Sequence, residues 1–353
     1  MTQQAGRLLL YAPNVHTGGG FVLLQALLAA WPGDQPLVAW LDDRARARLT
    51  LPGRAEVVWV QASAGSRLKA EFTLAAAARK QDRVLCFHGL PPLRRLEAPV
   101  WLFQQNRNYL GQVPLAAFGF KTRQRLRFEQ SISRWLRHRV ARYWVQTPSM
   151  ARAVQAWYGP QEADIRVLPF APPAPPAPPA PPASSAPAPR QWDFIYVADG
   201  EAHKNHRTLV QAWVLLAAQG LRPSLALTLS ARDAGLAAWV QSQADEHGLR
   251  ITNLGPRSHE DVLALYRCAS ALVFPSKGES FGLPLIEARQ AGLPILAGEL
   301  DFVRDVCAPA QTFDPASAVS IARAVRRFLD QPEPPLAPAL AADFLQALFA
   351  PDA

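Results

Sequence analysis

The chain has 353 residues, 49% of them hydrophobic and 18% charged, a globular composition that at roughly 150 residues per domain leaves room for two cores. No apolar run reaches the ~20 residues of a membrane span, the apolar start at 8–11 is too short for a secretory signal, and a cytoplasmic location is expected. Cys86, Cys268 and Cys307 are odd in number and show no C-x-x-C spacing, which disfavours a disulfide framework or a structural zinc site. The net charge of +9 is uneven: residues 1–170 hold 23 Lys/Arg against 10 Asp/Glu, and 171–353 hold 14 against 18. An excess confined to one half suits an anionic partner such as nucleic acid, phosphorylated lipid or an anionic membrane surface.

The first predicted strand, 7–13, runs into Asn14, Val15, His16, Thr17, Gly18, Gly19 and Gly20 before a helical run from Phe21. Three glycines opening a helix let a phosphate or an acceptor approach closely, or else serve a tight turn needing positive φ. The spacing is not G-x-G-x-x-G, so nicotinamide binding is disfavoured. Strand 37–41 ends at Asp42 and Asp43, read as surface partners of Arg44 and Arg46 and not as a metal-binding pair. After strand 56–60, strand 83–87 ends at His88, on a loop where a histidine is aimed at a cleft. Strand 100–104 leads into Gln104, Gln105, Asn106 and Asn108, uncharged donors and acceptors suited to a carbohydrate. The run 121–142 carries eight basic residues against Glu129, with Phe128, Ile132, Leu136 and Val140 every fourth residue, which predicts an amphipathic helix. Its apolar face either packs on the domain or, with Phe118, Phe120 and Trp135, makes shallow contact with anionic lipid. Strands 143–146 and 165–168 complete this half.

Residues 171–190 contain 10 of the 33 prolines and no large apolar side chain, predicting a polyproline-type spacer between domains. Beyond it the βα alternation resumes, with strands at 194–198, 224–229, 251–254, 271–274, 294–297 and 311–313. The division is therefore 1–170, a linker 171–190, 191–335, and a helical tail 336–353: an α/β chain of two Rossmann-like, doubly wound domains. Ligands of such sheets bind beyond the carboxyl ends of the strands. After 194–198 comes a polar loop with His203 and Lys204, whose ammonium can neutralise a pyrophosphate or simply face solvent. After 271–274 come Glu279, Ser280, Phe281, Gly282 and Leu283, then a helix containing Glu287. A helix start offers free N–H groups to an anion, and ionised carboxylates accept from neighbouring sugar hydroxyls. The plainer alternative is a surface Glu279 and a first-turn Glu287 favoured by the helix dipole.

The Glu279-x7-Glu287 spacing around Ser-Phe-Gly-Leu-Pro, followed by Ala288, Ala291, Gly292 and Pro294, resembles the signature of family 4 glycosyltransferases, retaining enzymes of the GT-B fold. The likeness covers most of 192–330. It implies two Rossmann-like domains facing across a cleft and a nucleotide-diphosphate-sugar donor. It also implies that Glu279 contacts donor-sugar hydroxyls, Phe281 and Gly282 approach sugar and diphosphate with Ser280 and Leu283 beside them, and Glu287 holds the ribose. Lys204 matches a diphosphate-binding lysine, whereas the arginine usual after this first strand is missing near Ala198 or Asp199, leaving His203 or Arg257 to assist. His88 resembles a histidine beside the donor sugar, and the glycine loop faces the donor. The implied function is transfer to a saccharide or lipid-linked saccharide in envelope-polysaccharide synthesis (lipopolysaccharide, O-antigen or capsule). No metal or other cofactor is expected, nor nucleic acid as partner, and the inner membrane is contacted through the basic helix. A GT-B sugar-nucleotide epimerase, needing acid/base groups from both domains, and a non-catalytic anionic-surface module, which leaves Glu279 and Glu287 without purpose, are the rivals.

Overall fold

The computed structural model describes residues 6–111, 115, 119–159, 164–172 and 190–332. Most of the proline-rich linker, the expected C-terminal tail and Phe118 lie outside them.

The first half forms β1 (Leu8–Ala12), α1 (Gly18–Ala29), β2 (Leu37–Asp42), β3 (Ala55–Val60), α2 (Ala64–Ala77) and β4 (Arg83–Cys86). There follow β5 (Val100–Phe103), α3 (Phe120–Trp135), β6 (Val140–Val145), α4 (Pro148–Tyr158) and β7 (Asp164–Val167). Its seven strands pair in parallel in the order β3-β2-β1-β4-β5-β6-β7. The second half forms β8 (Trp192–Tyr196), α5 (His206–Ala218), β9 (Leu225–Leu227), α6 (Ala234–His247), β10 (Ile251–Asn253) and α7 (His259–Arg267). It continues with β11 (Ala269–Phe274), α8 (Leu283–Gln290), β12 (Ile295–Gly298), α9 (Asp301–Arg304), β13 (Gln311–Phe313) and α10 (Ala318–Phe328). Here the order is β10-β9-β8-β11-β12-β13. Both sheets reverse direction of growth beside their first strand, so each has a crevice at the carboxyl ends, between β1 and β4 and between β8 and β11.

Helices on both faces of a parallel sheet demand strands that are apolar throughout. β1 buries Leu9, Leu10, Tyr11 and Ala12, and β11 buries Ala271, Leu272, Val273 and Phe274. All thirteen strands expected from the sequence are present. The run 121–142 is where the expectation fails: the helix ends at Trp135, a 3-10 turn covers Arg137–Arg139, and Val140 opens β6. Its buried face is Leu126, Gln130 and Ser133, and Phe128 points out instead. The fourfold apolar spacing crossed the boundary of an element and so mixed two faces. Asp42, read as a surface acid, is fully buried; it pairs with Arg44 through two hydrogen bonds of 2.9 and 2.7 Å and caps the backbone N–H of Arg44 at 3.0 Å.

His206, at the start of α5, is buried against the Tyr196 ring at 4.8 Å, and neither ring nitrogen has a hydrogen-bond partner among the described residues. Burial, helped by the charge of Lys204, drives its pKa down to about 4. The unfolded chain protonates this ring near 6.5, so the folded state loses stability as pH falls from about 6.5 toward 4 and keeps it above that window, by up to about 3 kcal/mol. His206→Phe is expected to flatten the acid side of a plot of Tm against pH; an unchanged slope would show that the ring is not held neutral.

Candidate functional site

A cleft of about 570 Å³ opens between the domains where the two crevices meet. Gly18 and Gly19 line its N-terminal wall with Asn14, His16 and Asn106, and Gly278, Glu279, Ser280 and His203 line the opposite wall. The triple glycine is explained residue by residue. Gly18 adopts φ +66°, a Cβ on Gly19 would stand 3.1 Å from Leu283 Cδ1 of the other domain, and one on Gly20 would stand 3.0 Å from Gln105 Oε1. Only the first needs a left-handed backbone; the other two need room.

The loop 275–282 is held from both domains. Ser280 Oγ donates to Gln105 O at 2.7 Å and Arg107 Nη1 to Glu279 O at 3.2 Å. Leu283, expected beside the donor, packs against both cores and so joins the two domains. On the other side, Asn205, at φ 64°, donates from Nδ2 to Pro275 O at 3.1 Å and to Pro315 O at 2.7 Å. Lys277 N then donates to His203 O at 2.9 Å, which locks the His203-Lys204 loop to the Glu279 loop. Gly282 caps α8 at φ +74°, a conformation a side chain at that position would strain.

These two loops bring Lys204 and Glu279 together. Lys204 Nζ donates to both carboxylate oxygens at 2.8 and 3.0 Å, and Ser276 Oγ donates to Oε1 at 2.6 Å. Burial would lower the ammonium pKa, but the adjacent Glu279 carboxylate holds it above its usual value. Glu279 is thus an oriented anion on the cleft wall with lone pairs left for hydroxyl groups. Glu287 is buried; His259 Nε2 lies 3.0 Å from Oε1 and Tyr266 OH donates to Oε2 at 3.2 Å. The hydrogen bond with Glu287 raises the His259 pKa. Neither partner of Glu287 was foreseen, because only the fold brings α7 beside α8.

Other expected residues fall differently. His88 follows β4 with Nδ1 3.4 Å from Tyr11 O and its ring edge-on to Tyr11, behind the residues that line the cleft. Burial takes its pKa down to about 4; it is an uncharged imidazole at neutral pH, so charge offset is replaced by hydrogen bonding as what it can offer. Gln104 is buried and donates to Asn106 O at 2.9 Å, Phe281 is buried in the C-terminal core, and Arg257 is exposed away from the cleft lining. The arginines that do line it are Arg44, Arg67, Arg107, Arg125 and Arg232. Arg107 was legible in principle, since it follows β5 in the same loop as Asn106, beyond the carboxyl end of a strand.

Residues 182–342 match the model of the family described as Glycosyl transferases group 1. The match falls in the C-terminal half of the chain. The matched stretch contains the Glu279–Glu287 segment, the Lys204 loop and every strand from β8 to β13. O-antigen chain mannosyltransferase B of Escherichia coli is 36% identical over 118 residues, 32% of this chain and 30% of that protein. D-inositol 3-phosphate glycosyltransferase of Mycobacterium sp. (strain KMS) is 46% identical over 56 residues, 15% of this chain and 13% of that one. The chain thus matches a third or less of the length of these relatives. Among solved structures, sucrose-phosphate synthase from Thermosynechococcus elongatus superposes over 93% of this chain and 90% of its own, with TM-score 0.67 and 17% identity. Anabaena HepE in complex with UDP-glucose covers 92% and 90%, with TM-score 0.64 and 13% identity. The fold of the chain is GT-B.

The Lys204–Glu279 pair invites a double-mutant cycle. Lys204→Met or Glu279→Gln alone leaves a half-buried partner uncompensated and is expected to cost roughly 3 kcal/mol, and the double variant less than the sum. Urea midpoints at constant m read this out; strict additivity would mean that the pair is not coupled.

Proposed function

We propose that the chain is a retaining glycosyltransferase that moves a sugar from a nucleotide-diphosphate-sugar to a saccharide or lipid-linked saccharide in cell-envelope polysaccharide synthesis. The observation that carries this reading is the oriented Glu279 carboxylate, held by Lys204 and Ser276 beside the start of α8 and facing the glycine loop across the cleft. The donor class is supported by the UDP-glucose held by the HepE neighbour, and the envelope role by the O-antigen relative. Retention rests on the family resemblance.

In this reading Glu279 accepts hydrogen bonds from donor-sugar hydroxyls and Glu287 serves the ribose. Charge on the departing diphosphate is offset by the N–H groups opening α8 and by Arg107 and Arg232, which compensate for the arginine missing near Ala198. Lys204 acts mainly through Glu279, because both of its close contacts are that carboxylate. No resident metal or cofactor takes part.

The reading extends to a membrane surface. No helix among the described residues is long and apolar enough to cross a bilayer. Yet α3 turns Phe120, Phe128 and Trp135 outward, 72%, 66% and 71% exposed. Spacings of eight and seven residues put the three on one side of the helix, opposite Leu126, with Lys121, Arg127 and Arg134 exposed around them. Aromatic side chains framed by cations suit the headgroup region of an anionic leaflet.

Two measurements test this. With a panel of UDP- and GDP-linked hexoses, wild type should hydrolyse or transfer from at least one donor with the anomeric configuration kept, and Glu279→Gln should lose about a hundredfold in kcat/KM; wild-type turnover by that variant would remove Glu279 from the mechanism. Co-sedimentation with phosphatidylglycerol vesicles should fall at least fivefold in Phe128→Ser/Trp135→Ser with Tm unchanged, and equal binding to neutral phosphatidylcholine vesicles would refute the anionic-surface contact.

A further inference from the structure

The arginines of the N-terminal wall separate by their surroundings. Arg44 is committed to Asp42. Arg107 lies at the domain seam, donating to Glu279 O and surrounded by the charges of Asp301, Asp305 and Glu279 from the C-terminal domain. Arg67, in the first turns of α2, and Arg125, on α3, line the cleft away from that seam. Their charges fall together on Tyr109 and Glu129, both cleft-lining groups of the N-terminal domain.

The charges of both guanidinium groups reach the Glu129 carboxylate, and they do not saturate it. Arg125 Nε comes no nearer to Glu129 Oε2 than 3.8 Å, too long for a hydrogen bond, and that oxygen is buried without a hydrogen-bond partner among the described residues. Arg67's guanidinium makes no hydrogen bond or ion pair among the described residues. The neutral hydroxyls of a saccharide are already provided for by Asn14, Asn106 and Asn108 on the same wall. Two planar, five-donor cations on an open cleft wall, Arg67 without a side-chain partner among the described residues and Arg125 held only by the 3.8 Å ion pair to Glu129, are complementary to a phosphate.

We propose that the acceptor carries a phosphate group, held by Arg67 and Arg125 with the Tyr109 hydroxyl on the N-terminal wall, at a place distinct from the donor diphosphate. This rests on reading the cleft as a site of glycosyl transfer and narrows its acceptor to a phosphorylated saccharide, either free or joined through phosphate to a lipid. Burial pushes the Tyr109 phenol up to about 12, so it stays a donor at neutral pH.

Calorimetry on the full chain, with UDP or GDP saturating the donor side, tests the assignment using inorganic phosphate, mannose 6-phosphate, mannose and farnesyl phosphate in detergent. The phosphate-bearing probes should bind at least tenfold more tightly than mannose. Arg67→Gln and Arg125→Gln should each weaken them about tenfold and change nucleotide affinity less than twofold, while Arg107→Gln should leave phosphate binding intact. Stronger binding of farnesyl phosphate than of mannose 6-phosphate would assign the lipid-linked source, and the reverse the free one. The subsite is overturned if mannose binds as well as mannose 6-phosphate, if the nucleotide displaces phosphate, or if Arg107→Gln abolishes the binding that Arg67→Gln spares. Loss of all nucleotide binding with phosphate binding retained would instead defeat the glycosyl-transfer reading.

Discussion

The cleft exists in its present shape because one loop, 275–282, is fastened from both sides. Ser280 and the carbonyl of Glu279 are bonded to the N-terminal domain, Pro275 O and Lys277 N to the loop that carries His203 and Lys204. With its backbone held at both ends, the loop delivers the Glu279 side chain to Lys204 and Ser276 with little freedom left. A carboxylate restrained in this way can meet a sugar without reorganising, which is the condition for electrostatic catalysis in a partly dry site. The close approach of Leu283 to Gly19 completes the closure and requires a small residue there.

The same closure distributes charge unevenly across the gap. The N-terminal wall carries Arg44, Arg67, Arg107 and Arg125 against Glu129, while the opposite wall carries Asp199, Glu201 and Glu279 against Arg232 and, behind them, Lys204. Burial, together with nearby Asp199, raises the Glu201 pKa. Arg107 reaches from the basic wall across this gap to the carbonyl of Glu279.

Much of the architecture was legible before any coordinates. Short apolar runs such as those read at 7–13 and 271–274 are buried on both faces of their sheets, which is why they read as strands of a βα alternation. The Glu279–Glu287 segment was legible because glycine, proline and two acids occur there at a spacing that a strand-loop-helix unit imposes. The helix α3 was misread because its apolar residues serve three purposes: Leu126 faces the core, Phe128 and Trp135 face outward, and Val140 belongs to the next strand. Periodicity assumes a single apolar face, and that assumption fails on a helix with two.

The sequence by itself determined the strands and their alternation with helices, and the residues that could carry chemistry, since these depend on local pattern and composition. It could not say which of those residues share a site. Asp42 with Arg44 is a contact of near neighbours and was anticipated as a pair, whereas Lys204 with Glu279 and Glu287 with His259 and Tyr266 join residues 75, 28 and 21 positions apart. Such pairings depend on which strand lies beside which and on how the domains close, so only the tertiary structure decides them.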